Sequence, residues 1–333
     1  MRLGRAALVC LGVLPLSACE GAQSALSPSA DQAGHLFGLL QLMLWVCGPM
    51  YLLVLGFLGW AIWRARRRLE PDPDVLESGL KLSLGVWAAL IVAGLLVLTT
   101  GSFLVDRSLA QASARERLQV RVTGQQWWWR IAYRQPGSSQ WIETANELHL
   151  PIGQTARIEL ASVDVIHSFW VPNLAGKTDV IPGHANVQDI TPRLQGWFRG
   201  QCAEFCGLQH AHMALDVKVE SPEAFQAWLQ AQARPAAAPT DPTLLRGMQV
   251  LTGGACGACH AVRGTSAGGR PGPDLTHLAS RRSIAAGLMP FSRGAVQGWI
   301  AQPAALKPGT NMPAVTLSPA DADAVARYLE WLK

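Results

Sequence analysis

Residues 202–213 read CAEFCGLQHAHM. This string brings two thiols, Cys202 and Cys206, together with His210, His212 and the thioether of Met213. A further histidine, His167, stands upstream in DVIHSFW. Soft sulfur donors combined with imidazole favour copper, and a thioether is not a usual ligand of zinc. One thiolate is enough for a blue-copper ion. Two thiolates can bridge a pair of coppers, which then share one electron with little change of geometry. Two other readings use the same residues. Cys202 and Cys206 could form a disulfide in an oxidising compartment, or a Cys₂His₂ zinc site could leave Met213 idle. His212, beside the better-spaced His210, reads as a surface residue, and His149 and His184 as structural or exposed.

A second chemical string is Cys256-Gly257-Ala258-Cys259-His260. C-x-x-C-H is the signature of covalent haem attachment. Each thiol can add to one vinyl group, and the adjacent imidazole then meets the iron from the same side. No βαβ pattern surrounds the motif, so a thioredoxin-like reading fails. A sixth iron ligand must come from elsewhere. Met248, Met289 and Met312 are the methionines on hand, and a His/Met pair raises the haem potential. Met248 lies too close before the attachment site. His277 reads as a packing or exposed residue.

These residues need a scaffold, and composition bounds it. The chain has 333 residues, roughly two domains at about 150 residues each. Hydrophobic residues are 49% and charged residues 15%, with mean hydropathy +0.16. A soluble domain averages about 25% charged residues, so neither a disordered nor a wholly soluble chain fits. The net charge of +5 is dispersed, which excludes a nucleic-acid footprint of clustered Lys/Arg. Seven cysteines form no even-spaced disulfide framework.

Residues 1–19 read as an export signal: Arg2 and Arg5, an apolar stretch over 6–16, then Leu16-Ser17-Ala18-Cys19. Small residues before a cysteine resemble a bacterial lipobox, which implies lipid on Cys19. Residues 36–63 and 82–105 carry no charge, long enough for two membrane spans. Pro49 should kink the first, which membrane helices tolerate. Arg64, Arg66, Arg67, Arg68 and Lys81 flank or lie in the connection, whereas residues 20–35 carry no Lys or Arg. The positive-inside rule then puts the connection in the cytoplasm and everything after Asp106 outside. Residues 20–110 are thus expected to be a membrane hairpin.

After the spans, Leu118–Val122, Leu148–Ile152, Ala156–Leu160, Val163–Ile166 and Leu215–Val219 read as short strands separated by Pro and Gly. This predicts an antiparallel β-sandwich over residues 115–230. Residues 231–241, AQARPAAAPTD, read as a semi-extended linker. Residues 242–333 form the last domain. Its final helix starts at Ser318-Pro319, an N-cap followed by Pro at N1, and carries apolar residues at 325, 328, 329 and 332.

With these motifs in view, residues 34–230 resemble subunit II of the haem–copper cytochrome c oxidases. C-x-E-x-C-x-x-x-H-x-x-M matches at each position, and His167 falls where that family has its upstream ligand. DVIHSFWVPNLAGKTDVIPG and GQQWWWR are also family-like. The resemblance implies a cupredoxin-like β-barrel with a binuclear copper A centre. Its ligands would be His167, Cys202, Cys206, His210, Met213 and the carbonyl of Glu204, whose carboxylate would also reach a Mg²⁺ at the subunit I interface. It implies that Trp127 receives electrons from a donor cytochrome, with Trp128 and Trp129 as packing or interface aromatics. Many relatives carry Trp-Thr shortly after Leu-Glu at the second span; here Leu76-Glu77 is followed by Ser-Gly-Leu-Lys, so a proton-path role for Glu77 is in doubt. Residues 242–333 are similar to class I cytochromes c. That likeness selects Met312, in PGTNMPA, as the iron ligand, and gives the Pro273 carbonyl of GPDL the role of orienting His260.

The whole order is similar to subunit II of a caa3-type oxidase. It implies a two-pass protein of the bacterial inner membrane with both functional domains outside. Electrons would pass from a soluble or membrane cytochrome to haem c, then copper A, then haem a of subunit I, where O₂ is reduced with proton pumping. No histidine lies in residues 36–105, so the oxygen site belongs to subunit I. A subunit of a nitric-oxide-reducing relative and a stand-alone tethered electron carrier are the competing readings. The metals of the catalytic partner, and purification without a partner, would separate them.

Overall fold

The structure, a computed structural model, describes residues 20–67, 73–111, 118–135, 137 and 139–333. The export signal over 1–19 and the expected lipid site Cys19 lie outside the described residues.

Two long helices come first, α1 (Asp31–Arg67) and α2 (Pro73–Gln111). Both extend beyond the uncharged runs at 36–63 and 82–105. Arg64, Arg66 and Arg67 continue the last turn of α1, where cations complement the helix dipole. Arg64 lies over the Trp60 ring at 5.3 Å and Arg67 over Trp63 at 4.4 Å, a basic and aromatic collar of the kind found at membrane interfaces. The apolar faces are left exposed, as lipid-facing surface requires. Glu77 lies on α2, but its side chain is not among those described.

Residues 20–33 do not belong with the hairpin, contrary to the boundary expected at 20. They form a compact unit with the β-domain. Backbone hydrogen bonds from Ser29 N–H to Asn173 O (2.7 Å) and from Arg199 N–H to Ala22 O (2.7 Å) hold the segment there. The Asn173 side chain donates to the carbonyls of Gly21 and Ser27.

The β-domain contains ten strands: β1 (Leu118–Gln125), β2 (Trp128–Arg134), β3 (Trp141–Ala145), β4 (Glu147–Pro151), β5 (Ala156–Ser162), β6 (His167–Trp170), β7 (Thr178–Val180), β8 (Asn186–Ile190), β9 (Gly196–Cys202) and β10 (Ala214–Glu220). They form two five-stranded sheets, ordered β3-β2-β1-β5-β8 and β4-β10-β9-β6-β7. Alternate residues of β1 and β5 are buried, the period of a strand with one face on a core. Trp129, Ile131, Leu148, Leu160, Phe169 and Leu215 are among the residues filling the space between the sheets.

Two expectations need correction. The sandwich is not wholly antiparallel: β1 runs parallel to β5, and β10 parallel to β4. The inward/outward alternation is the same for either direction of pairing, so the sequence pattern does not distinguish them. Val163–Ile166 is a bend rather than a strand. The Asp164 carboxylate accepts from the Gln126 and Val165 amides, both at 2.7 Å. Local side-chain bonds of this kind compete with a sheet ladder. The strand begins only at His167.

Helix α3 (Pro222–Ala233) closes one end of the sandwich through Phe225 and Leu229. It runs past residue 230, so the irregular connection is shorter than the 231–241 expected. Ala236 N–H then bonds Arg263 O at 2.8 Å, which ties the connection to the C-terminal domain.

That last domain consists of α4 (Pro242–Gly253), the one-turn α5 (Cys256–Cys259), the short β11 (Ser283–Ile284) and β12 (Met289–Pro290), then α6 (Arg293–Ala301), α7 (Pro303–Leu306) and α8 (Pro319–Trp331). Asp241 caps α4 by accepting from the Thr243 and Leu244 amides. Ser318 caps α8 by accepting from the Asp321 amide at 3.1 Å. Such caps stabilise by about 1 kcal/mol each. Val325, Tyr328, Leu329 and Leu332 are buried with Leu251, Val296 and Ile300 in a separate core. This domain meets the β-domain directly: Ala214 N–H donates to Ala286 O at 3.1 Å, and Arg282 N–H to Glu147 Oε2 at 2.8 Å.

Candidate metal centre and haem-binding site

Strand β9 delivers Cys202 at its end, and the turn after it delivers Cys206 and His210 before β10 starts beyond Met213. Strand β6 delivers His167, fully buried, from the neighbouring position in the same sheet, where Phe169 pairs with Cys202. The sequence-distant His167 is thus set beside the 202–213 string by sheet pairing.

The donors converge. The sulfurs of Cys202 and Cys206 stand 3.7 Å apart, and both cysteines are free. A disulfide would hold them at about 2.05 Å, so the disulfide alternative is not formed. His167 Nδ1 faces Cys202 Sγ at 3.9 Å and His210 Nδ1 faces Cys206 Sγ at 3.6 Å. Met213 Sδ lies 3.9 Å from Cys206 Sγ, and the Glu204 carbonyl 3.2 Å from Cys202 Sγ. His212 is exposed and bonded through Nδ1 to Gln209 Oε1 at 2.7 Å. His184 is exposed. His149 is buried, with Glu220 on Nδ1 (2.7 Å) and Glu147 on Nε2 (3.0 Å), so it serves the fold.

The electrostatics of the cluster call for a cation. The thiol of Cys206 beside it holds Cys202 far down, to about 3, against the effect of burial. The same pairing, together with burial, pushes Cys206 well above the usual thiol range. Two buried thiols this close do not both ionise unaided, and a cation held by Cys202 and Cys206 would remove the conflict. The soft donor set matches copper.

The sequence reading missed the group that aims His167. Asp164 Oδ1 bonds His167 Nε2 at 2.9 Å, leaving Nδ1 turned to the sulfurs. Such carboxylate partners fix the tautomer and orientation of ligating histidines. Burial pushes the Asp164 carboxyl up, but hydrogen bonds from Gln126, His167 and Val165 more than offset it, and the net shift is downward. Gly124 makes room for the same ring: a Cβ there would lie 2.9 Å from His167 Cδ2. Trp129 is wholly buried, edge-on to Phe169. Trp128 is half-buried under Arg130. Trp127 is 8% exposed and donates Nε1–H to the Cys206 carbonyl at 2.9 Å. The Gln126 side chain donates to that same carbonyl at 2.8 Å.

In the helical domain, Cys256 and Cys259 bracket α5 and His260 caps it. A cavity is lined by Cys256, His260 and Met312, with Leu251, Trp299 and Leu329 among its apolar walls. Met248, Met289 and Met312 all pack against the domain core, and of the three it is Met312 that lines this cavity. Pro273 O accepts from His260 Nδ1 at 2.8 Å, which leaves Nε2 for an iron. Burial lowers the His260 pKa, favouring the neutral, ligating form. Gly272 crosses the ring so closely that a Cβ would lie 2.5 Å from Cε1. Arg281, buried, lines the same cavity, and among the described residues its Nε has no hydrogen-bond partner. This guanidinium donor in a mostly apolar cavity, with Asn146 and Ser283 as further polar lining, suits a ligand that is apolar but carries a carboxylate, as haem is. His277 is buried and bonded through Nε2 to Arg234 O at 3.0 Å, away from that role.

Comparison with known proteins agrees with these features. The family described as cytochrome c oxidase subunit II, periplasmic domain, matches residues 132–220, and cytochrome c matches residues 244–333. Cytochrome c oxidase subunit 2 of Alkalihalophilus pseudofirmus is 30% identical over 96% of this chain and 94% of its own length. The protein of the same name from Bacillus subtilis is 28% identical over 98% of this chain and 96% of its own. A crystal structure of the periplasmic domain of subunit II of cytochrome oxidase of Bradyrhizobium japonicum is 30% identical, with TM-score 0.33, over 35% of this chain and 94% of that one. The expected architecture of two apolar helices, a cupredoxin-like β-domain and a helical cytochrome c domain is the one found.

Proposed function

Because the chain belongs to the cytochrome c oxidase subunit II family, we propose that it is the electron-receiving subunit of a caa3-type oxidase, passing electrons from its own haem c through copper A to haem a of subunit I. The observation that carries this reading is the convergence of four donors around two unbonded sulfurs 3.7 Å apart, in a chain that also carries C-x-x-C-H.

His167, Cys202, Cys206, His210, Met213 and the Glu204 carbonyl would hold the copper pair. Cys256 and Cys259 would attach the haem, with His260 and Met312 on its iron. When bound, these groups supply one-electron redox chemistry in which no bond is made or broken. The chain's own contribution is positional. Asp164 aims His167, and the Pro273 carbonyl aims His260. Trp127 and Gln126 grip the Cys206 carbonyl and keep the copper string against β1 and β2. The apolar walls of the haem cavity exclude water, which raises the potential of a buried haem.

The outer half-exposed carboxylate of Glu204, with Lys177 at 3.9 Å, would contribute one ligand to a Mg²⁺ shared with subunit I. We place the chain in a bacterial inner membrane through α1 and α2, both functional domains on the periplasmic side, after cleavage before Cys19, which removes residues 1–18, and lipidation of Cys19. A soluble or membrane cytochrome would supply the electrons, and O₂ reduction with proton pumping would occur in subunit I. The domain limits that fit best are a hairpin over 34–111, a copper domain built from 20–33 and 118–233, and a cytochrome domain from 242 to 333.

Copurification with subunit I, together with haem and metal analysis, tests this reading. One covalent haem and two coppers assigned to this subunit are expected. A complex that retains haem but binds no copper at this subunit would overturn it.

A further inference from the structure

The last residues before Met312 do more than present an iron ligand. Lys307 is 3% exposed. Its ammonium donates to three carbonyls: Trp127 O at 2.8 Å, His212 O at 2.8 Å and Ala285 O at 3.0 Å. Two of these acceptors belong to the β-domain: Trp127 is bonded to the copper string through the Cys206 carbonyl, and His212 is part of that string. Lys has three donors and no acceptor, so this one arrangement satisfies it completely. The neighbours add to the grip. Pro308 O accepts from Gln209 Nε2 at 2.8 Å, and Asn311 Nδ2 donates to Gln126 O at 3.3 Å. Gly309 lies on the Trp127 ring: a Cβ there would stand 3.4 Å from Trp127 Cη2 and 3.0 Å from Leu208 Cδ1.

The consequence is occlusion. Trp127 is 8% exposed, whereas Phe205 and Leu208 on the same rim are 77% and 79% exposed. Gly309 lies against the indole, and the bonds of Lys307 and Asn311 to the Trp127 and Gln126 carbonyls hold it there, so another protein approaching from that side must displace residues 307–311. The cover also joins the two sites by a short chain of bonds. Met312 is covalently next to Asn311, Asn311 bonds the Gln126 carbonyl, and the Gln126 side chain bonds the Cys206 carbonyl. Burial pushes the Lys307 ammonium down to about 8, so it is still charged at neutral pH. A buried charge that meets its three acceptors in only one docked pose confers specificity of docking more than affinity.

We propose that Lys307 is a positioning residue that latches the Met312 loop over Trp127, closing the copper domain's electron-receiving face to external donors and leaving the resident cytochrome domain as its reductant. This rests on the functional reading above. Each transfer takes one electron from the haem iron and adds one to the copper pair, with no proton or bond exchanged. An external donor must then deliver its electron to the haem, not to Trp127.

The test uses the whole oxidised oxidase mixed rapidly with reduced soluble cytochrome c, with haem c and copper absorption recorded separately. In the natural protein, haem c should be reduced first, with a rate proportional to donor concentration. Copper should be reduced next, at a rate independent of it. Copper reduced ahead of haem c, at a rate proportional to donor, would overturn the proposal. In Lys307→Met, with both absorption spectra intact, internal transfer should slow by about tenfold, because the Met312 loop loses the three bonds of the buried ammonium and keeps only those of Pro308 and Asn311 over Trp127. Copper should also gain a donor-dependent phase. An unchanged internal rate with intact spectra would refute the latch. If that variant does not assemble, Asn311→Ala, which frees the same loop from the Gln126 carbonyl, takes its place, and an unchanged internal rate there refutes the latch equally. Missing copper or haem absorption in the natural protein would reject the functional reading itself; direct copper reduction with both present rejects only the latch.

Discussion

Asp164 is the group whose replacement tests the copper site most finely, because it touches no donor sulfur yet should govern metal affinity. Its Oδ2 accepts from Gln126 N–H at 2.7 Å, and its Oδ1 from Val165 N–H at 2.7 Å and from His167 Nε2 at 2.9 Å. Asp164→Asn keeps the shape but has one acceptor oxygen. If that oxygen keeps His167 and Val165, the new amide faces Gln126 N–H and that bond is lost. A bond to a charged acceptor is worth about 1.5–3 kcal/mol. The Asp164 side chain is 29% exposed, so water can take over part of this, and a loss of about 1–2 kcal/mol is expected. Copper affinity should fall by about tenfold, the low end of the range for changing the partner of a ligating histidine, because the neutral amide oxygen holds His167 Nε2–H more weakly than the carboxylate does. Competition with a copper chelator, read by the near-infrared absorption of the pair, measures this directly. Affinity within about twofold of the natural protein would mean that His167 is oriented by packing against Gly124 and Trp129 rather than by Asp164.

Three further outcomes are expected. Gly272→Ala places a Cβ 2.5 Å from His260 Cε1 and 2.8 Å from Nδ1, so it should destabilise the cytochrome domain by about 1–3 kcal/mol and shift the haem potential; a redox titration superimposable on the natural protein's would refute the positioning role of the Gly272–Pro273 turn. Met312→Ala should abolish the thioether–iron absorption band, whereas Met289→Ala should leave it and only lower thermal stability; the reverse result would move the ligand. Glu220 is pushed up by burial but held down on balance by its bonds to His149 and Lys218. A depressed carboxyl stabilises the fold above its unfolded pKa, near 4.5, and this contribution is lost as pH falls through the folded value. Glu220→Gln should therefore cost about 1–3 kcal/mol at neutral pH and flatten the acid limb of the stability curve below pH about 4.5; a variant curve parallel to the natural one at all pH values would contradict this.

The candidate copper and haem residues are legible because their spacing is local. C-x-x-C-H and the 202–213 string each fit within a few turns of chain. The two spans were legible because lipid permits no charge over their length. What the sequence did not disclose is what long-range pairing decides. Lys307 and Trp127 are far apart in the chain and meet only when two domains dock. Asp164 read as part of a strand because Val163, Val165 and Ile166 are β-formers, yet its carboxylate captures two amides and turns the chain. Residues 20–33 read as the approach to a membrane helix, but Asn173 and Thr191, distant in sequence, bind them to the β-domain. The parallel pairs β1/β5 and β4/β10 carry the same burial alternation as antiparallel ones.

The central claim is that one chain holds a bridged copper pair and a covalent haem. The most direct measurement is the near-infrared and EPR spectrum of the purified complex, with metal analysis, before and after His210→Ala. The account predicts a haem c band together with a mixed-valence copper signal from two coppers in this subunit, the copper signal lost in the variant and the haem band kept. A haem c band alone, with Cys202 and Cys206 joined as a disulfide, would contradict it.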